Sequence, residues 1–285
     1  MERRPYDRIA MTIVIALKVG DGVVLGADSA STIVDPVGGY FNSYFNAEKL
    51  FNMVKGLPIG MLTYGLGGLA NRSVSSLARD LRQRLADSSQ DAWYLDKTNY
   101  AIEHVAQRVR SYFYDELYVP EFGQAAHKPS MGFLIAGYSA GATSSEVWKV
   151  HVEPDGTCGG PHVLIERDQG WGAWWEGQEE ACFRILRGFS LEILQRLLAA
   201  GMTDHDAGKL LETVTPLVHS TMPIQDAIDL VHFLVEATCK FVRFAPGPFT
   251  VAEPIDSAAI TRHEGFRWVR RKHYFSVALN PSQPS

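Results

Sequence analysis

Met11-Thr-Ile-Val-Ile-Ala-Leu-Lys-Val-Gly-Asp-Gly-Val-Val-Leu-Gly-Ala-Asp-Ser29 is the stretch on which the fold turns. Thr12–Lys18 and Val23–Asp28 are runs rich in β-branched and apolar residues, separated by Val19-Gly-Asp-Gly22. Asp-Gly between two such runs is a strong hairpin signal. Both runs are apolar nearly throughout, which predicts a sheet covered on both faces. The hairpin opens on a threonine and its second strand ends on an aspartate. Removal of Met11 would give Thr12 a hydroxyl and a free α-amine on one residue, a nucleophile carrying its own base.

Outward from the hairpin, Lys49–Val54 and Ile59–Tyr64 read as two further short strands, followed by Gly65-Leu-Gly-Gly68. The segment Tyr40–Asn46, after breaks at Asp35-Pro36 and Gly38-Gly39, reads as a loop insertion. Val74, Leu77, Leu81 and Leu85 recur at helical spacing, and Asn99–Tyr118 carries a second amphipathic pattern. Strands are expected at Met131–Tyr138, Glu146–Val152, His162–Glu166 and Gly172–Trp175. Helices are expected over Glu179–Leu198 and Ile224–Val242, and closing strands at Thr250–Val251, Ser257–Thr261 and Arg267–Val269. Two sheets in contact, with helices outside both, would bury every apolar face of such a series. The expected class is α+β, a four-layer αββα sandwich with two antiparallel sheets.

Composition narrows the function. The chain has 285 residues, 46% of them hydrophobic, so a large core is available without covalent staples. The net charge of −5 and the scattered Lys and Arg argue against nucleic acid as a partner. The one dense basic run, Arg270-Arg-Lys-His273, reads as a solvated strand end. Three cysteines with no C-x-x-C spacing suggest neither a disulfide framework nor zinc, which fits a reducing cytoplasm. No apolar run reaches the length of a membrane span. No metal or cofactor is expected. Residues 1–11 read as a leader or a mis-called start, 12–275 as one domain and 276–285 as a tail.

Taken singly, the polar candidates have ordinary readings. Asp28 reads as a turn cap, Lys49 as a charge at a strand edge and Gly65-Leu-Gly-Gly68 as a weak motif, although an aspartate after Gly-Ala at a strand end calls for a partner. His151 and His162 read as strand and turn histidines. Trp171, Trp174 and Trp175 read as core or subunit contacts, with a ligand platform second.

Taken in order, Thr12–Asp28, Glu48-Lys49-Leu50-Phe51 and Gly65-Leu-Gly-Gly-Leu-Ala70 resemble the N-terminal third of proteasome β-type subunits, which are N-terminal-nucleophile (Ntn) hydrolases. Ala136-Gly-Tyr138, and Ile224–Val242 followed by Pro254-Ile-Asp256, resemble later elements of that family. The resemblance implies a threonine-type peptidase acting through an acyl-enzyme. Thr12 would be the nucleophile with its α-amine as base, Lys49 a cation beside it, and Asp28 the partner that orients Lys49. The backbone N–H of Gly67 would donate to the oxyanion. An extended peptide substrate would lie against Ser31, Thr32, Gly67 and Leu69, with Gly65 at a roomy specificity pocket. A self-assembling homo-oligomeric ring is likewise implied, and an unfoldase partner is left open. The alternatives are a non-proteolytic Ntn amidase and a catalytically silent structural subunit. The chain departs from the pattern at Ala30, where the family has Arg, at Ala252-Glu253 in place of Gly-Gly, and at Met11 in place of Gly. No residue near Lys240–Val251 matches the late Asp and Ser that usually support the threonine.

Overall fold

The computed structural model describes residues 12–34, 40–212, 216–247 and 249–272. The expected leader, the break at 35–39 and the tail lie outside them. In chain order the strands of the first half are β1 (Ile13–Val19), β2 (Gly22–Ala27), β3 (Ser31–Val34), β4 (Tyr40–Tyr44), β5 (Leu50–Asn52), β6 (Ile59–Gly65), β7 (Gly68–Leu69) and β8 (Arg72–Ser73). Helices α1 (Val74–Ala86) and α2 (Ile102–Arg110) follow; α2 runs on through a π-helical stretch, Ser111–Tyr118, into α3 (Val119–Phe122). Then come β9 (Met131–Gly137), β10 (Glu146–Val152), β11 (His162–Ile165) and β12 (Gly172–Gly177). The chain continues through α4 (Glu179–Arg187), α5 (Leu191–Ala199), α6 (Asp204–Glu212) and α7 (Ile224–Phe244) to β13 (Asp256–Thr261) and β14 (Gly265–Arg270).

Two five-stranded antiparallel sheets form, in the orders β12-β1-β2-β13-β14 and β11-β10-β9-β6-β5. Strand periodicity distributes β1 between two cores. Ile13, Ile15, Leu17 and Val19 pack with Val231, Leu234 and Val235 of α7, while Val14 and Ala16 face Leu62, Leu134 and Ala136 of the other sheet. On the far side, Leu77, Leu81, Val105 and Val109 of α1 and α2 cover Met61, Phe133 and Ile135. Three interlayer cores make four layers, the αββα sandwich expected, and every residue of β1 is buried. Each buried Leu, Ile or Val contributes roughly 1.5–3 kcal/mol, so this central hairpin anchors both halves.

Several elements differ from the sequence reading. Tyr40–Asn46 is no plain loop: β4 pairs with β3, Ser31 opposite Tyr44, because backbone pairing tolerates the polar residues that obscure the pattern. The helix expected over Glu179–Leu198 is two, interrupted by left-handed Gly188 and restarted by Ser190, whose hydroxyl accepts from the Ile193 N–H. Helix α6 carried no clear periodic signal. Thr250–Val251 is not a strand; the adjoining Ala252 accepts from the Ser29 N–H instead of extending a ladder. Lys18 is fully buried and donates from Nζ to the carbonyls of Glu166 (2.7 Å) and Arg167 (3.2 Å). Burial lowers its pKa to about 8 against the opposing pull of Glu146 and Asp168. Among the described residues, no helix is long and apolar enough to cross a membrane.

Candidate active site

The antiparallel register brings both ends of the hairpin together. Val14 pairs with Ala27, and the Asp28 N–H donates to the Ile13 carbonyl (3.2 Å), so the Asp28 side chain turns back onto the start of β1. Its Oδ1 accepts from Thr12 Oγ1 (2.8 Å), the Ile13 N–H (3.0 Å) and Lys49 Nζ (2.6 Å). Oδ2 accepts from the N–H groups of Ala30 (2.8 Å) and Ala252 (3.3 Å). Lys49, immediately before β5, also donates to Thr12 Oγ1. Thr12, Asp28 and Lys49 are 3%, 0% and 7% exposed, and at that depth a carboxylate is tolerated only when paired and hydrogen-bonded. Burial lowers the Lys49 pKa; Asp28 opposes this, and the nearby Lys272 ammonium adds to it.

The centre opens onto a cleft of about 350 Å³, lined in part by Thr12, Ser31, Tyr44, Phe45, Lys49 and Gly67. The Gly67 carbonyl accepts from the Val74 N–H (3.0 Å) at the start of α1, whereas its own N–H makes no hydrogen bond to a described residue. A Cβ at Gly67 would stand 2.9 Å from Ser31 Oγ, so the two residues face each other and a side chain there would intrude between them. Gly65 also lines the cleft, and the backbone itself dictates its identity: φ is +80°, and a Cβ would lie 2.5 Å from the Ser130 carbonyl oxygen. Leu69 does not line the cleft; it is 1% exposed and packs in the core with α1. Thr32 pairs with Ser43 in the β3–β4 ribbon, and its side chain lies outside the described residues. The Glu48 carboxylate at the cleft is held by Arg79, with Arg271 at 3.8 Å.

The sequence reading missed residues that hold the centre from behind. Gln178 donates its N–H to the Thr12 carbonyl (2.7 Å) and its side chain to Thr250 Oγ1 (3.1 Å). Lys272, read within a solvated basic run, has a side chain only 6% exposed and is paired with Asp256, whereas Arg270 and Arg271 are exposed. A charge run conceals such a division. The aromatic run divides in the same way. Trp171 and Trp174 are more than a third exposed, while Trp175 packs against the α7 side of the sheet and Phe183.

No family model and no curated protein matches the chain. Its fold is similar to that of solved structures. One is Anbu (ancestral beta-subunit) from Yersinia bercovieri, with 14% identity over 92% of this chain and 88% of that one and a TM-score of 0.51. Another is a Gly-1 mutant of Anbu from Hyphomicrobium sp. strain MC1, with 15% identity over 92% and 86% and a TM-score of 0.50. These likenesses show the fold. They also correct the resemblance drawn from the motifs: no family model supports assignment to the proteasome β-type subunits, and these similar structures are Anbu proteins at low identity.

Proposed function

We propose that the chain is an N-terminal-threonine amidohydrolase that cleaves peptide bonds once Thr12 is the first residue. The supporting observation is the hydrogen-bonded set Thr12–Asp28–Lys49, of which Thr12 and Lys49 line the cleft. In this reading Thr12 Oγ1 attacks the carbonyl carbon and its proton passes to the α-amine, whose reference pKa of about 7.7–8.0 suits a base near neutrality. Lys49 stabilises charge developing on Oγ1, and Asp28 fixes Lys49 by accepting from it. The oxyanion takes the Gly67 N–H, a contribution of about 2.7–4 kcal/mol for a donor of this kind. The protonated amine then passes its proton to the leaving nitrogen, and water releases the acyl group from Oγ1.

The test has two parts. The mass of the purified chain and one cycle of N-terminal sequencing should show Thr12 at the amino end. Thr12→Ala should abolish hydrolysis of fluorogenic peptides while leaving the fold intact by circular dichroism. Undiminished turnover in Thr12→Ala would overturn the reading.

A further inference from the structure

Behind the Thr12 centre lies a second buried charge pair that this chemistry does not use. Lys272, just beyond β14, donates from Nζ to Asp256 Oδ2 (2.5 Å) and to Ser29 Oγ (2.5 Å), and its N–H donates to Asp256 Oδ1 (2.9 Å). The two side chains are 6% and 2% exposed. Ser29 donates its hydroxyl to the Pro254 carbonyl and its N–H to the Ala252 carbonyl (2.9 Å). Ala252 in turn donates to Asp28 Oδ2 (3.3 Å). Hydrogen bonds through Ser29 and Ala252 therefore link the residue that Lys272 holds to the carboxylate that holds Thr12 and Lys49.

Buried ion pairs are often matched or exceeded in stability by apolar residues of similar volume, so stability alone gives this pair no special reason to be ionic. An apolar pair can neither donate to Ser29 nor place a charge beside Lys49. We propose that Lys272, held by Asp256 and Ser29, is a positioning residue for the Thr12–Asp28–Lys49 centre, fixing the Asp28 carboxylate and setting a second positive charge beside the reacting groups. The proposal rests on the reading of Thr12 as nucleophile. The groups acting on Lys49 are Asp28 and Thr12 from the hairpin, Cys239 from α7 and Lys272 itself. Asp28 favours the ammonium form, whereas burial and Lys272 disfavour it.

The experiment compares Lys272→Met, Lys272→Arg and Ser29→Ala with the parent chain and with Thr12→Ala. Lys272→Met should lower kcat by about 10- to 100-fold at little change in KM, the scale of a small misplacement of reacting groups. Loss of a like charge raises the pKa of Lys49 and of the α-amine, so the acid limb of the kcat–pH profile should move to higher pH by about half a unit or more. Lys272→Arg should restore the limb, and Ser29→Ala should lower kcat without moving it. The Lys49 titration, followed through its labelled ε-carbon by NMR, reads the charge effect without turnover and should shift upward in Lys272→Met. A folded Lys272→Met with parental kcat and an unmoved Lys49 titration overturns the proposal; if Lys272→Met does not fold, parental kcat in Ser29→Ala does so. Retained activity in Thr12→Ala instead removes the nucleophile reading, while the Lys49 titration still judges Lys272.

Discussion

The two oxygens of Asp28 are divided between tasks. Oδ1 gathers the Thr12 hydroxyl, the Ile13 N–H and the Lys49 ammonium, and Oδ2 takes the N–H groups of Ala30 and Ala252. Asp28→Asn keeps the shape and removes the countercharge, leaving a buried ammonium uncompensated. Chemical denaturation should show a loss of about 3–5 kcal/mol, as expected for one broken partner of a buried pair. Lys18 offers a pH test. Its folded pKa of about 8 lies below the ordinary lysine value of 10.5, so between these values the unfolded chain binds the proton that the folded chain has released. Parental stability relative to Lys18→Met should therefore rise from about pH 8 to about pH 10.5 and stay flat below that window; denaturant melts at three pH values check the sign. The partnership of Asp28 with Lys49 was legible because an aspartate at the end of an apolar strand needs a cation. Lys272 was not, because its burial depends on where the chain meets Asp256 and Ser29 just beyond β14, which no local spacing encodes.

The β3–β4 ribbon is the element whose role escaped the sequence. It carries Tyr44, with Phe45 just after it, to the cleft mouth at 58% and 40% exposure. Phe45 meets Phe249 at a ring distance of 6.1 Å, linking the rim to the segment that precedes the Asp28 contact. Side chains so exposed add little to stability. Phe45→Ala should raise KM for peptides severalfold and leave the melting temperature unchanged, measured by steady-state kinetics and calorimetry. The helices were easier to recognise than to delimit. The pattern through Val74, Leu77, Leu81 and Leu85 is that of α1, all four residues buried. The boundary between α4 and α5 depends on one left-handed glycine and one serine cap, signals that compete with continuous apolar spacing.

For the whole molecule, the layer count was legible and the strand order was not. Runs apolar on both faces, as in β1 and β2, require cover on both sides, and helices of one-sided pattern supply the outer layers. That β12 lies beside β1, and β9 between β10 and β6, follows from pairing across long separations that sequence spacing leaves undetermined. The same distinction explains the corrected family assignment. A threonine, an Asp-Gly turn, an aspartate and a glycine turn before a helix are what this hairpin and cleft require, so such motifs report architecture more firmly than descent.

One feature of that architecture bears on the proposed exposure of Thr12. Gly177, opposite Ile13, adopts φ +106°, and a Cβ there would lie 2.0 Å from the Thr12 carbonyl oxygen, which Gln178 holds at 2.7 Å. The neighbouring Ile13 N–H is held by Asp28. Chain ends ordinarily fray, yet here the residue proposed to become terminal is clasped from both flanking strands. Cutting before Thr12 should therefore be mechanically silent. The chain beginning at Thr12 and the chain retaining the residues before it should melt within about 2 °C of each other. What the cut changes is the basicity of one nitrogen, an amide becoming an amine, so the cut would act as a chemical trigger on a framework already set.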